Sequence, residues 1–275
     1  MPDFGIMRGF NEKLFGDKLV AGQLPTQLGV LGSFSSLDIN YQGILSYAIT
    51  QGYTLPSENQ QVLQNQLIID LKNAGIWNKL DTFAVFATDG NADFALIDWK
   101  KLSQYTAFNS PTFSTNGGFA GNGTSSYINS EFSGSIGVNF TLNAASRFYW
   151  IDNRSASTIL EGVDGGSGNN SFNNSSNTHI INSTNTAFTG TAVNFAIDGW
   201  HSICRTDSAN IALFTSTNRF DRLSLSVSTS GTKQVIGKRL SSFTSTRFRV
   251  FGCGGNLALE NTDFYNAINT YLTSL

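Results

Sequence analysis

The chain has 275 residues, a formal net charge of −2 and only 13% charged residues, with 27 glycines set against four prolines. That length is enough for one sizeable buried core plus a small annex. The charge balance excludes nucleic acid as a partner, because phosphate neutralisation needs clustered Lys and Arg. The densest basic runs, Lys238-Arg239 and Arg247-Phe248-Arg249, read as solvated strand edges.

Residues 1–37 open the chain with "MPDFGIMRGF", which lacks the basic start and apolar run of a signal peptide, so no ordinary secretory route is expected. Glycines at 5, 9, 16, 22, 29 and 32 interleave with Phe4, Phe10, Phe15, Leu19, Leu24 and Leu28. The segment is too glycine-broken for a stable helix and too apolar for a free linker. It either packs against another protein or folds onto its own domain. No stretch of the chain approaches the roughly 20 apolar residues of a membrane span.

Residues 38–80 read as a helical annex. "DINYQGILSYAITQGY" places Ile39, Ile44, Leu45, Tyr47 and Ala48 at near-helical spacing. In the next helix Ser57 is a good N-cap, and Gln60, three residues on, completes a capping box. Leu63, Leu67 and Leu71 recur at i, i+4, i+8, with Ile68 widening the stripe. Lys72 suits the negative end of the helix dipole, and Gly75 is a natural terminator. The two helices, joined by "TQGYTLP", make a helical hairpin.

From residue 81 to 275 the period switches to 2. "DTFAVFATDG" and "FALIDWKKL" look strand-like, and "SPTFSTNGGFAGNGTSSYINS" alternates across glycine turns. Further strands are expected at "SRFYWID", "STILEGV", "HIINS", "GWHSICRTD", "NIALFTS", "SLSVS", "TKQVIGKR" and "RFRVFGCGG". About ten short strands with regular turn signals predict a mainly β antiparallel sandwich or jelly roll. A last helix over "ENTDFYNAINTYLTSL", capped by Thr262, presents Phe264, Ile268, Tyr271, Leu272 and Leu275 on one face.

Catalytic chemistry finds little support in the residues. A retaining glycosidase needs two carboxyls roughly 5 Å apart, whereas Glu131, Asp152, Glu161, Asp164, Asp198 and Asp207 are scattered. "DGNAD" (89–93) has the alternate spacing of a calcium loop, but Phe94 and Lys100 stand where the EF-hand rule needs Gly and Glu, so a polar turn is expected. His179 and His201 lack a G-x-S-x-G partner, and His201, beside Trp200, suits a packing role. His201 and Cys204, three apart on a strand, fall on opposite faces. Zinc lacks a four-ligand cluster, and no cofactor is expected. Cys204 and Cys253 lie in apolar surroundings and are expected as buried thiols. Glycines 118, 121 and 123 serve turns and close packing rather than a phosphate loop. Tyr149, Trp150, Asn153, Arg154 and Trp200 are the residue types of a sugar site, rings for the apolar face of a pyranose and amide or guanidinium groups for its hydroxyls. Most rings in a sandwich are core, and the residues alone leave open which face these occupy.

The order "DLKNAGIWNKLDTFAVFATDGNADFALIDWK", "NSPTFSTNGGFAGNGTSSYINSEF", "GWHSICRTDSANIALFTS" and "NTDFYNAINTYLTSL" resembles a group of bacteriophage virion proteins. These carry a concanavalin A-like (LamG-type) lectin/glucanase jelly roll. The resemblance covers roughly residues 38–275 and rests on a helix ending in G-I-W, a "G-x-x-G-x-G-x-S-x-Y-I" type strand, an "H-S-I-x-R" strand and a closing helix. It implies a protein made in the host cytoplasm and carried on the virion, a spike or fibre displaying its jelly roll for attachment to a host glycan. Residues 1–37, through Phe4, Phe10, Phe15, Leu19, Leu24 and Leu28, would then anchor it to capsid vertex or tail proteins. A homotrimer is expected by analogy with spikes and fibres. A capsid decoration protein without a receptor and a polysaccharide-degrading glycosidase are the rival readings.

Overall fold

A computed structural model describes residues 36–153, 159–163, 170–173, 178–183 and 197–275. The six proposed anchoring residues and Arg154 lie outside them. Residues 39–275 form one compact unit.

Among the described residues two helices come first, α1 (Ile39–Gln51) and α2 (Glu58–Asn73). Ser57 caps α2, its Oγ accepting from the Gln60 N–H at 3.4 Å. The return half of the expected capping box does not form. The Ser57 N–H donates to Asp89 Oδ1 instead, and Gln60 Oε1 accepts from the Asp89 N–H and the Thr88 hydroxyl. Gly75 ends the helix in the left-handed conformation (φ 71°), and the Ile76 N–H closes back on the Leu71 carbonyl at 2.9 Å.

Strand β1 (Leu80–Val85) follows. The segment "FALIDWKKL", expected as a strand, is a single helical turn at Ala92–Ala95 and then the short hairpin β2 (Ile97–Asp98) and β3 (Ser103–Gln104). Asn91 Oδ1 accepts from the Phe94 N–H at 3.0 Å, and this local cap outcompetes a strand. Next come β4 (Thr106–Phe108), β5 (Thr112–Ser114), β6 (Gly118–Ala120), β7 (Tyr127–Ser133) and β8 (Ala145–Asp152). They are followed by β9 (Ile159–Val163), β10 (Asn170–Asn173), β11 (Thr178–Ile181), β12 (Gly199–Arg205) and β13 (Asn210–Thr215). The last strands are β14 (Arg219–Leu223), β15 (Lys233–Ile236), β16 (Lys238–Arg239), β17 (Ser242–Phe243) and β18 (Arg247–Gly254). The expected strand at "SLSVS" therefore sits earlier, at "RFDRL". Helix α3 (Asn261–Thr273) closes the fold.

The strands form an antiparallel sandwich. The first sheet runs β14-β13-β12-β8-β18-β6-β5, with β1 also paired to β18; the second runs β11-β10-β9-β15-β7-β4. Between them lies a core that includes Phe86, Phe119, Phe132, Phe140, Tyr149, Ile151, Ile203, Leu213, Phe248 and Phe251.

The first sheet is covered on its other face as well. Phe83, Phe148 and Trp200 project there and meet Phe264 of α3, with Phe148–Phe264 centroids 4.5 Å apart and Trp200–Phe264 4.9 Å apart. Both faces being covered explains why β12 is buried at every position and β8 at all but its last. Helix α3 starts at Asn261, and its N-cap is Glu260, without a side-chain capping bond, rather than the expected Thr262. Its buried residues include Phe264, Ile268, Tyr271 and Leu272. The Tyr271 hydroxyl donates to the Ala87 carbonyl at 2.6 Å and accepts from Gln64 Nε2 at 3.1 Å, tying α3, α2 and the end of β1 together.

Two fully buried arginines join the sheets. Arg147 donates to the Ile180 carbonyl at 3.1 Å and to Gln234 Oε1 at 3.4 Å. Arg205 donates to the carbonyls of Ile181 at 2.9 Å and Ser224 at 2.6 Å. Cys204 and Cys253 are buried thiols, Cys204 beside Ser146 Oγ and Cys253 in the inter-sheet core.

Because Phe264 contacts Phe83, Phe148 and Trp200 at once, Phe264→Ala should lower unfolding stability by about 3–5 kcal/mol. Denaturant melts measure this directly, and a loss below about 1 kcal/mol would show that the helical cover contributes little.

Candidate groove between the last helix and the β13–β14 turn

The four proposed sugar-site residues that are described fall in different places. Tyr149 projects into the inter-sheet core, fully buried, and stacks on His201 with centroids 5.4 Å apart. This also gives His201 the packing role expected of it. Asn153 is exposed at the end of β8 with left-handed backbone (φ 48°), and its N–H donates to Asp198 Oδ2 at 3.2 Å. Trp150 and Trp200 project to the opposite face from Tyr149, because neighbouring strand positions alternate. Both are buried, and neither offers a bare ring to solvent.

These two tryptophans instead support a groove one layer above them. Trp150 stacks on Tyr265 of α3 with planes within 7° and centroids 5.9 Å apart. Trp200 Nε1 donates to Asn261 Oδ1 at 3.1 Å, and its backbone N–H donates to Ser216 Oγ at 3.2 Å. Tyr265, Asn261 and Ser216 all line a groove of 470 Å³ between the start of α3 and the β13–β14 turn. That volume lies within the range of small-molecule sites.

The turn is held open by local bonds. The Thr215 N–H donates to the Asn218 carbonyl at 2.9 Å, the Asn218 N–H returns to Thr215 Oγ1 at 3.2 Å, and Asn218 Nδ2 donates to Thr217 Oγ1 at 2.8 Å. Gly199 permits the close approach: with φ at 112°, a Cβ there would stand 2.8 Å from Ser216 Oγ. At the lip, Arg219 binds both carboxylate oxygens of Asp221, at 3.0 and 3.1 Å from Nε, and lies 5.5 Å from the Phe214 ring centroid. Leu259, 86% exposed, forms the opposite rim.

Among the described residues the lining includes Ser216, Thr217, Thr262, Asn218, Asn261 and Asn266, with Tyr265 and Phe214 as rings and Arg219 as its charged member. Among the described residues it contains no Asp or Glu. Sequence reading found the two tryptophans behind the groove but missed Tyr265, Asn261 and Asn218. The amphipathic pattern of α3 pointed Phe264 inward, and Tyr265, next along the helix, could have been placed at its edge. "DGNAD", expected as a polar turn between two strands, is a bend that runs into the helical turn at Ala92–Ala95, with Asp89 and Asn91 both serving as backbone caps. Among the described residues, no group of three or more His, Cys, Asp or Glu side chains is placed to hold a metal ion. No helix among them is long and apolar enough to cross a membrane.

No family model matches the chain, and no curated protein matches its sequence. Solved structures do resemble it. One is Trypanosoma rangeli sialidase in complex with 2,3-difluorosialic acid, at a TM-score of 0.50 and 8% identity over 77% of this chain and 40% of the sialidase. Another is the binding domain of botulinum neurotoxin serotype D, with a TM-score of 0.44, 9% identity, 73% of this chain and 53% of that one. A third is domain 4 of AbnA, an extracellular arabinanase from Geobacillus stearothermophilus, in complex with arabinotriose, with a TM-score of 0.39, 13% identity, 68% of this chain and 98% of that one. The chain thus spans about 40% of the sialidase. At these identities the likeness is one of fold, and the sialidase match agrees with the β-sandwich.

The interior of the sandwich carries a pH signature. Burial, reinforced by the nearby charges of His201 and Arg147, holds His179 well below the ordinary histidine value of 6.5. The folded chain keeps this ring neutral while the unfolded chain protonates it. Its contribution to stability is full above about pH 6.5 and is lost as pH falls below that value. His179→Gln should therefore flatten the decline in Tm between about pH 7 and pH 5 relative to the parent chain. Parallel Tm profiles for the two chains would contradict the assignment.

Proposed function

We propose that the chain is a non-catalytic, lectin-like module that a bacteriophage particle displays for attachment to host-surface glycans. The observation that carries the binding half is the groove lining: amides, hydroxyls and one guanidinium around the Tyr265 ring. A ring supports the apolar face of a pyranose, and the polar groups answer its hydroxyls, while small-molecule sites in general pair an apolar floor with a few placed polar groups. The described lining residues include no carboxylate, which favours binding over hydrolysis, since hydrolysis needs two carboxyls roughly 5 Å apart.

The virion half of the proposal rests on the sequence resemblance over residues 38–275. On this reading the protein is made in the host cytoplasm and assembles on the particle as a homotrimer. Residues 1–37 join it to capsid vertex or tail proteins. A surface solvated by Ser, Thr and Asn rather than by ions suits a domain displayed outside the cell.

On a glycan array the chain should bind a defined set of oligosaccharides without releasing product. Tyr265→Ala should weaken that binding by about tenfold or more, about 1.4 kcal/mol, with the melting curve little changed. Binding indifferent to this change would remove the groove from the account, and product release would replace attachment with hydrolysis. Deleting residues 2–30 should abolish incorporation into particles and leave the sandwich folded; normal incorporation would refute the anchoring role.

A further inference from the structure

A second group of rings lies away from the groove, on two strands of the other sheet and on the short β16–β17 hairpin. Phe108 on β4 is paired in register with Tyr127 on β7. The two rings stack with centroids 4.8 Å apart and planes within 7°. Phe243 on β17 adds a third ring 6.3 Å from Tyr127, and the Lys238 ammonium sits 4.2 Å from the Tyr127 centroid. Phe108 is 38% exposed, on a strand whose three residues all face solvent. A lone exposed ring is unremarkable, but a parallel pair flanked by a third ring and a cation is an ordered aromatic surface held in place from several strands.

The polar rim beside these rings is equally fixed. Asn109 and Ser110, directly after Phe108, both take left-handed backbone (φ 53°), a conformation that costs energy in a non-glycine residue. Asn109 Nδ2 donates to the Ser125 carbonyl at 2.9 Å, tying this turn to the loop before Tyr127. In that loop Asn122 Oδ1 accepts three N–H groups, from Thr124 at 2.9 Å, Ser125 at 2.8 Å and Ser126 at 3.0 Å. Gly121 allows the loop to press onto β18's approach: a Cβ there would lie 2.0 Å from the Thr244 carbonyl oxygen. Gly123 turns it with φ at 75°. Asn109, Asn122 and Thr124 are left exposed around a preformed ring surface. This is the segment "GFAGNGTSSYINSEF", which the groove does not use.

We infer that Phe108 and Tyr127, with Asn109, Asn122 and Thr124, form a second carbohydrate site that takes a pyranose by stacking its C–H face on the exposed ring. The ligand class extends the carbohydrate reading of the groove, but the two sites share no residue. A displayed module with two such sites would engage a polyvalent surface by avidity, even where each site alone is weak.

Saturation-transfer NMR on the full chain with methyl glucoside, galactoside, mannoside and N-acetylglucosaminide as probes tests the site. Phe108→Ala should reduce transfer from the responding probe and lower its affinity at this site by about tenfold, while Phe108→Trp retains it. Tyr265→Ala, which lies in the groove, should leave this component in place. Equal transfer in Phe108→Ala and the parent chain overturns the second site, as does the absence of transfer from all four probes. Loss in Phe108→Ala with no effect of Tyr265→Ala keeps the second site and removes the groove. If Phe108→Ala alters the thermal melt, the comparison of Phe108→Trp with Phe108→Leu, which keeps bulk and loses the ring, decides the same question.

Discussion

The constraint on which the rest of this structure depends is the burial of the first sheet on both faces. Phe148 and Trp200 depend on α3 for cover, and Phe264 touches both as well as Phe83, which also packs on Trp77 and Trp99. Burying side chains of that size is worth about 1.5–3 kcal/mol each, and the edge-to-face contacts add to it. The position of α3 follows from this need. Its deep face is fixed by Asn261, Phe264, Ile268 and Tyr271, so its shallow edge, with Tyr265 and Asn266, is presented beside the β13–β14 turn. The groove is thus a by-product of the way the sheet is covered. Trp150 and Trp200 couple the two, Trp150 by its stack on Tyr265 and Trp200 by its bonds to Asn261 and Ser216.

Much of this was legible in the residues. The period of 2 after residue 80, the glycine turns and the two flanking helical segments pointed to an antiparallel sandwich with a helical hairpin before it and a helix after it. The cap at Ser57 and the stop at Gly75 were readable because both are local, depending on one side-chain oxygen and one positive φ. The strand at "FALIDWKKL" was not, since Asn91 offers the backbone a competing cap. The capping box at Ser57 was half right for the opposite reason: Asp89, distant in sequence, takes over the Ser57 N–H.

The site was harder to see because double burial erases alternation. In "SRFYWID" every residue but the last is buried, so no polar-apolar rhythm says which rings face which layer. Tyr149 and Trp150 are neighbours in sequence and belong to different layers of the molecule. The arginine in "HSICR" shows the same difficulty. In the fold Arg205 is buried and donates to the carbonyls of Ile181 and Ser224. A buried guanidinium with several carbonyl partners is costly to remove, since the partners are then left unpaired.

The account's central claim is that covering the sheet with α3 builds a sugar-binding groove at its edge. The most direct test is a crystal structure of the full chain soaked with the oligosaccharide it binds best. The account predicts a pyranose against Tyr265, hydrogen-bonded by Asn218, Asn261 or Asn266. A groove without sugar, in a crystal where the same oligosaccharide is bound only elsewhere on the chain, would contradict it.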